Sequence, residues 1–411
     1  MGSSIPGRPC GRAALAFCLV AACHGNDPVA VSQTPADDSG PSDAGLTDGS
    51  ADGPIGDASL PDAEDAPAPD APLAPVTLGV VPLPFVGEGG TPGPSEQTLA
   101  YLETLAAGAR GTTLIRRWDE LAAPLTSPVE TAFAGLETAA SLYARQRRQL
   151  LFCLSIVDRA LPVLPEGASA DWSAPENRAA IDDLIDQLFA TFGEELRYFV
   201  IGKEVDRWLA LANRAERSGF VDFVSGTLSY VRDHPRRPAA LEVGVAASAQ
   251  GWTEGTAGLA ELRPAIDVVV ATYFPLTEEF EARSPSSAGP DIELLLEALT
   301  SESEPPLPLV LQEVGYPSSE VVGSSEALQQ LFFEGFFQAL QSRRARIPFA
   351  NVFALNEQAE AACALDAESF GATGDERAIA AWCSLGLRDR DGLDRPAWET
   401  VSDGLAHFAT P

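Results

Sequence analysis

Two glutamates close apolar runs in this chain. Glu204 follows Tyr198-Phe199-Val200-Ile201-Gly202-Lys203, and Glu313 sits in Leu309-Val310-Leu311-Gln312-Glu313. A carboxylate at the end of a buried strand is held by a rigid element and shielded from water. Two such groups facing one cavity can divide labour, one moving a proton and the other attacking or stabilising developing positive charge. Lys203 is the only lysine, because 26 of the 27 basic side chains are arginine. An ammonium beside a carboxylate favours its ionised form.

The remaining composition narrows the chemistry. The net charge of −32 argues against nucleic acid and anionic lipid surfaces as partners. There are three histidines, His24, His234 and His407. None ends an apolar run, which argues against a Ser-His-Asp triad and a histidine zinc site. No phosphate loop or Gly-x-Gly-x-x-Gly follows a strand-like run, so neither a metal nor a cofactor is expected.

Residues 1–23 read as an export signal. Arg8 and Arg12 precede the apolar stretch 13–20, which is too short for an ordinary membrane span. Residues 24–75 are rich in Asp, Ala, Pro, Gly and Ser, with eleven acids and no lysine, arginine or aromatic residue. Such a segment cannot bury enough apolar surface to offset its ordering entropy, so a disordered acidic tether is expected.

Residues 76–411 alternate β-rich runs with helical periodicity, the pattern of a parallel sheet. Strands are expected at 77–84, 112–118, 149–157, 196–202, 241–247, 266–274, 307–312 and 349–355. Intervening helices lie near 95–107, with Ser95 as cap, and near 129–147, 174–192, 215–233, 256–262, 291–300 and 325–343. A last helix lies near 395–408. Eight strand–helix units in one domain predict an α/β fold, a single (β/α)8 TIM barrel. Cys153 reads as a buried apolar side chain. Cys363 and Cys383 flank one loop, and an exported compartment permits a disulfide between them.

Glu204 then ends strand four and Glu313 ends strand seven. With Gly202-Lys203-Glu204 and Glu313-Val314-Gly315-Tyr316-Pro317, the chain resembles clan A of the retaining glycoside hydrolases over about residues 77–405. The segment Leu385–Gly392 running into Arg395-Pro396-Ala397-Trp398 is similar to the close of many such barrels. The resemblance implies double displacement on a β-linked polysaccharide or oligosaccharide, with Glu313 as nucleophile and Glu204 as acid/base. A carbohydrate-binding barrel without activity is the competing reading, because Lys203 stands where the family usually has asparagine. Lys203 reads an acidic substrate, keeps the nucleophile ionised, or marks lost activity.

The same resemblance points to Arg116, in preference to Arg117, as orienting the nucleophile, and to Tyr273 as touching it. Trp118 and Trp252 are candidate sugar platforms and Asp158 and Asn356 candidate hydroxyl ligands, each with loop packing as the alternative. Val20-Ala21-Ala22-Cys23 resembles a bacterial lipobox. This implies an acylated Cys23 and a monomeric lipoprotein in the cell envelope, at the periplasmic face or the cell surface.

Overall fold

A computed structural model describes residues 75–85, 93–122, 134–300 and 306–409. The signal segment, Cys23 and residues 24–74 of the tether lie outside these residues. Eight parallel strands are present: β1 (Thr77–Val80), β2 (Gly111–Arg117), β3 (Gln149–Asp158), β4 (Leu196–Lys203), β5 (Glu242–Ser248), β6 (Val268–Tyr273), β7 (Leu309–Val314) and β8 (Phe349–Val352). Each pairs with its sequence neighbours, and β1 pairs with β8, which closes the sheet into a (β/α)8 barrel. A two-residue strand, Leu161–Pro162, folds back antiparallel on the end of β3.

Strand alternation sorts the side chains. Leu151, Cys153, Tyr198, Val200, Ala246, Val268, Val270, Val310 and Phe349 fill the barrel interior. Their pleat neighbours pack outward into the larger cluster between sheet and helices. Near-continuous apolar strands such as β6 follow from this burial on both faces. The barrel is tight at β1–β2, where a Cβ on Gly79 would lie 2.3 Å from the Gly111 carbonyl oxygen.

The helices follow their caps. Asn213 Oδ1 accepts from the backbone N–H of Ala215 and Glu216, and Glu216 returns a carboxylate to the Asn213 N–H, which starts helix Arg214–Asp233. The first helix begins one residue before the expected Ser95 cap. Pro94 takes the first turn, where its missing N–H costs nothing, and Gly93 is the cap residue. Of the expected helix at 256–262 only Leu259–Leu262 is helical; an earlier helix, Ala249–Glu254, ends at Gly255 (φ +67°), and Gly258 (φ +98°) precedes the new start. Two helices, Glu360–Ser369 and Glu376–Cys383, fill the long connection after β8. Cys363 and Cys383 form a disulfide between them. No described helix is long and apolar enough to cross a membrane.

Gly79→Ala is expected to destabilise the barrel by about 1–3 kcal/mol, because the added methyl has no room to enter without moving β2. Urea denaturation of variant and parent measures the difference.

Candidate active site

The C-terminal end of β4 turns sharply. Gly202 (φ +77°) and Glu204 (φ +49°) both adopt left-handed conformations on either side of Lys203. For glutamate that conformation costs about 1–2 kcal/mol, which the surroundings must offset. They do so through Asp206, whose carboxylate accepts from the Ser248 N–H (2.8 Å) and the Ser248 hydroxyl (2.7 Å) at the end of β5. The Cys153 thiol, inside the barrel, donates to the Gly202 carbonyl (3.1 Å).

Glu313 arrives by a register shift. Ala271 pairs with Leu311, but Thr272 pairs with Glu313, so β7 carries one extra residue. Such a bulge re-aims a side chain. The Thr272 hydroxyl in turn donates to Glu204 Oε1 (3.0 Å). One residue of β6 thus stands in register with one glutamate and hydrogen-bonds the other. Both glutamates are 2% exposed.

The charges around them are coupled. Burial pushes the Glu313 carboxyl up to about 7; the nearby cations Lys203 and Arg159 pull it down, while the Glu204 and Asp366 charges add to the rise. Burial and Arg159 act to strip the Lys203 proton, yet the Glu313, Asp158 and Asp366 carboxylates outweigh them and hold the ammonium above its usual range. Lys203 is half-buried, and its ammonium makes no hydrogen bond or close ion pair among the described residues. Arg207, one helical turn after Glu204, donates from Nε to Glu204 Oε2 (3.0 Å).

A roof covers these groups. Arg159, left-handed at φ +56° and 2% exposed, donates its backbone N–H to the Lys203 carbonyl (2.7 Å). Its guanidinium reaches Asp366 (2.8 Å) and Ser369 (2.6 Å) in the connection after β8, and Asp158 at 3.3 Å. The Phe370 ring stacks on Trp382 (4.8 Å) and faces two guanidiniums, Arg159 at 4.3 Å and Arg207 at 4.4 Å. Gln358 donates to the second oxygen of Asp366 (3.0 Å). Burial alone would raise the Asp366 carboxyl, but the charges of Arg159 and Lys203 hold it below its usual range.

Several expected site residues lie elsewhere. Thr113 donates inward to the Gln312 carbonyl (3.0 Å) and Ile115 packs on the interior cluster. By alternation Arg117 shares that side and Arg116 does not. Arg116 lies against the Tyr101 hydroxyl in the helix layer, whereas Arg117 pairs with Asp119 (2.7 Å) at the mouth. The preference for Arg116 over Arg117 is therefore reversed. Tyr273 likewise points outward, donating to Asp291 (2.8 Å), while Thr272 takes the inward position.

Trp118 is fully buried and stacks on Phe223 at 5.8 Å. Trp252 is buried and donates to the Val270 carbonyl (2.9 Å). Neither offers a ring face to a sugar. Asn356 is buried and ties the connection after β8 to the Leu83 carbonyl (2.8 Å). Asp158 accepts from Arg159 and takes part in the roof network. Among the described residues no cluster of three His, Cys, Asp or Glu side chains could hold a metal ion. Sequence reasoning passed over Arg159, Arg207, Thr272, Asp366 and Phe370. Only Arg207, three residues after Glu204 on a helix, carried a local signal.

No protein-family model and no curated protein sequence matches the chain. Solved structures do. A GH5_18 protein from Streptomyces cattleya in complex with Manβ1-4GlcNAc superposes with TM-score 0.63 at 14% identity, covering 82% of this chain and 81% of that one. A GH5_18 protein from Bifidobacterium longum subsp. longum, with the same disaccharide, gives TM-score 0.62 at 14% identity over 82% and 79%. The exo-β-1,4-mannosidase Op5Man5 from an Opitutaceae bacterium gives TM-score 0.59 at 15% identity over 82% and 60%. The chain thus has the closed eight-stranded barrel fold of these glycoside hydrolases.

Proposed function

We propose that the barrel hydrolyses a β-linked glycoside with retention of configuration. The observation that carries this reading is the meeting of Glu204 and Glu313 at Thr272, on strands four and seven, at the C-terminal mouth. Double displacement needs two carboxyl groups about 5–5.5 Å apart. Glu313 attacks the anomeric carbon and forms a glycosyl-enzyme. Glu204 protonates the departing oxygen, then takes a proton from the water that releases the sugar. Lys203 favours the ionised nucleophile by its charge. Arg207 must release Glu204 before that residue can carry a proton to a leaving group. The disaccharide in the two GH5_18 structures is β-linked, which supports the linkage class.

The second reading is a carbohydrate-binding barrel without turnover. It is favoured by Arg207, which holds Glu204 as an ion pair, and by Lys203 beside it. Aryl β-glycosides with a good leaving group separate the two, because they need the nucleophile more than the acid. Turnover lowered by about 10⁴-fold or more in Glu313→Gln supports the hydrolase. Glycan binding without turnover across a broad panel supports the binder.

The rate should also follow the Glu313 proton. For such substrates kcat/KM is expected to rise with pH through about 7, as Glu313 ionises in the free protein. Removing the ammonium with Lys203→Met raises the Glu313 pKa and moves this limb to higher pH; an unmoved limb would detach Lys203 from the nucleophile.

The same proton is visible without substrate. Between the usual glutamate pKa of about 4.3 and the folded value, the folded chain keeps a proton that the unfolded chain has released. Glu313 therefore withdraws stability as pH rises through that window, by about 3 kcal/mol in all. Glu313→Gln lacks this loss, so its denaturation midpoint is expected to fall less than the parent's between pH 4 and pH 8.

The domain reading belongs to the same proposal: an exported chain, acylated at Cys23, carries the 76–411 barrel on an acidic tether. Labelled palmitate incorporated by the parent and absent from Cys23→Ser is the expected result; equal labelling would place the lipid elsewhere.

A further inference from the structure

The opposite end of the barrel carries a basic cavity that the catalytic reading does not use. Its volume is about 370 Å³, and Arg110, Arg147, Arg148 and Arg197 line it together with Gln149 and Tyr198. These residues lie at the starts of β2, β3 and β4 and in the approach to β3, so the cavity is at the N-terminal mouth.

Four guanidiniums around one cavity are unexpected in a chain with 59 acids and 27 bases. With carboxylates in such excess, arginines are expected to find acidic partners. Two of the four have partners that serve the fold. Arg197 pairs with Glu242 (2.8 Å) on the adjacent strand, and Arg110 donates to the Ala409 carbonyl (2.7 Å) at the end of the last helix. Arg147 and Arg148 form no ion pair among the described residues. The Arg148 Nε–H is buried and meets no acceptor. Arg147 is exposed and held in a left-handed conformation (φ +51°) at the turn into β3.

A buried donor without an acceptor is costly unless something fills the gap. The planar guanidinium fork matches an oxyanion bidentately, and several forks around one cavity suit an anion with three or more oxygens rather than a single carboxylate. We propose that the N-terminal mouth of the barrel binds a phosphate group through Arg147 and Arg148, with Arg110 and Arg197 adding positive charge. The large negative net charge repels anionic surfaces at long range, but within a Debye length of about 10 Å the four local cations decide the outcome. The phosphate can belong to a soluble compound or to a lipid headgroup.

Calorimetric titration of the full chain with inorganic phosphate at low ionic strength, against a chloride control, tests the site. Saturable binding is expected, with affinity falling about tenfold in Arg147→Gln and again in Arg148→Gln. Arg145→Gln, an exposed arginine at the end of the preceding helix and outside the cavity, should leave it unchanged. Because Arg147 is exposed, its variant keeps the fold and reads binding alone. Co-sedimentation of the full chain carrying Cys23→Ser with phosphatidate vesicles distinguishes the sources. Retention lost in Arg147→Gln assigns the phosphate to a headgroup, and no retention assigns it to a soluble compound. Absence of saturable phosphate binding, or equal loss in Arg145→Gln, overturns the proposal.

Discussion

The mouth of this barrel is governed by the cost of burying charge. Glu204, Glu313, Asp158, Asp206 and Asp366 gather within a few strands of one another, and an isolated buried carboxylate is expensive to keep ionised. Lys203, Arg159 and Arg207 offset that cost unequally. Asp366 has a guanidinium at 2.8 Å, and Glu204 has one at 3.0 Å. Glu313 receives charge from Lys203 but no close partner, and its carboxyl is pushed up to about 7. The group left least compensated is the one able to change protonation near neutrality. Perturbed groups of this kind collect where chemistry is done.

The connection after β8 belongs to the same electrostatic unit. Its two helices are tied by the Cys363–Cys383 disulfide and carry Asp366, Phe370 and Trp382 over the mouth. Arg159 and Arg207 are shared between the carboxylates below and the aromatic rings above. Cation–π contacts and ion pairs strengthen as water is excluded. Arg207 touches both Glu204 and the Phe370 ring, so the roof and the carboxylate beneath it share one guanidinium. The two ends of the barrel show contrasting uses of arginine: buried charge compensation at one, and at the other two guanidiniums, Arg147 and Arg148, without an acid among the described residues.

The eight-unit alternation, the order of the strands and the placement of both glutamates at strand ends were legible in the sequence, because hydrophobic periodicity and strand-ending polar residues are local signals. Side-chain facing was less legible, and parity is one reason. Arg117 and Thr272 face inward, not Arg116 and Tyr273, and a pleated strand reverses every side chain when the count slips by one. Trp118 and Trp252 follow strands as sugar platforms would, yet both are buried in packing. A sequence displays an aromatic residue without displaying what packs on it.

By itself, then, the sequence determined a parallel barrel with two acidic strand ends and a lone lysine beside one of them. Periodicity and composition act through neighbours in the chain. The tertiary structure alone decided which pleat faces the mouth, because the bulge that re-aims Glu313 arises from pairing between β6 and β7. It alone also brought Arg159 to Asp366, 207 positions later, and assembled four arginines at the far mouth. Contacts of that reach form only when the sheet closes, and nothing local to either partner announces them.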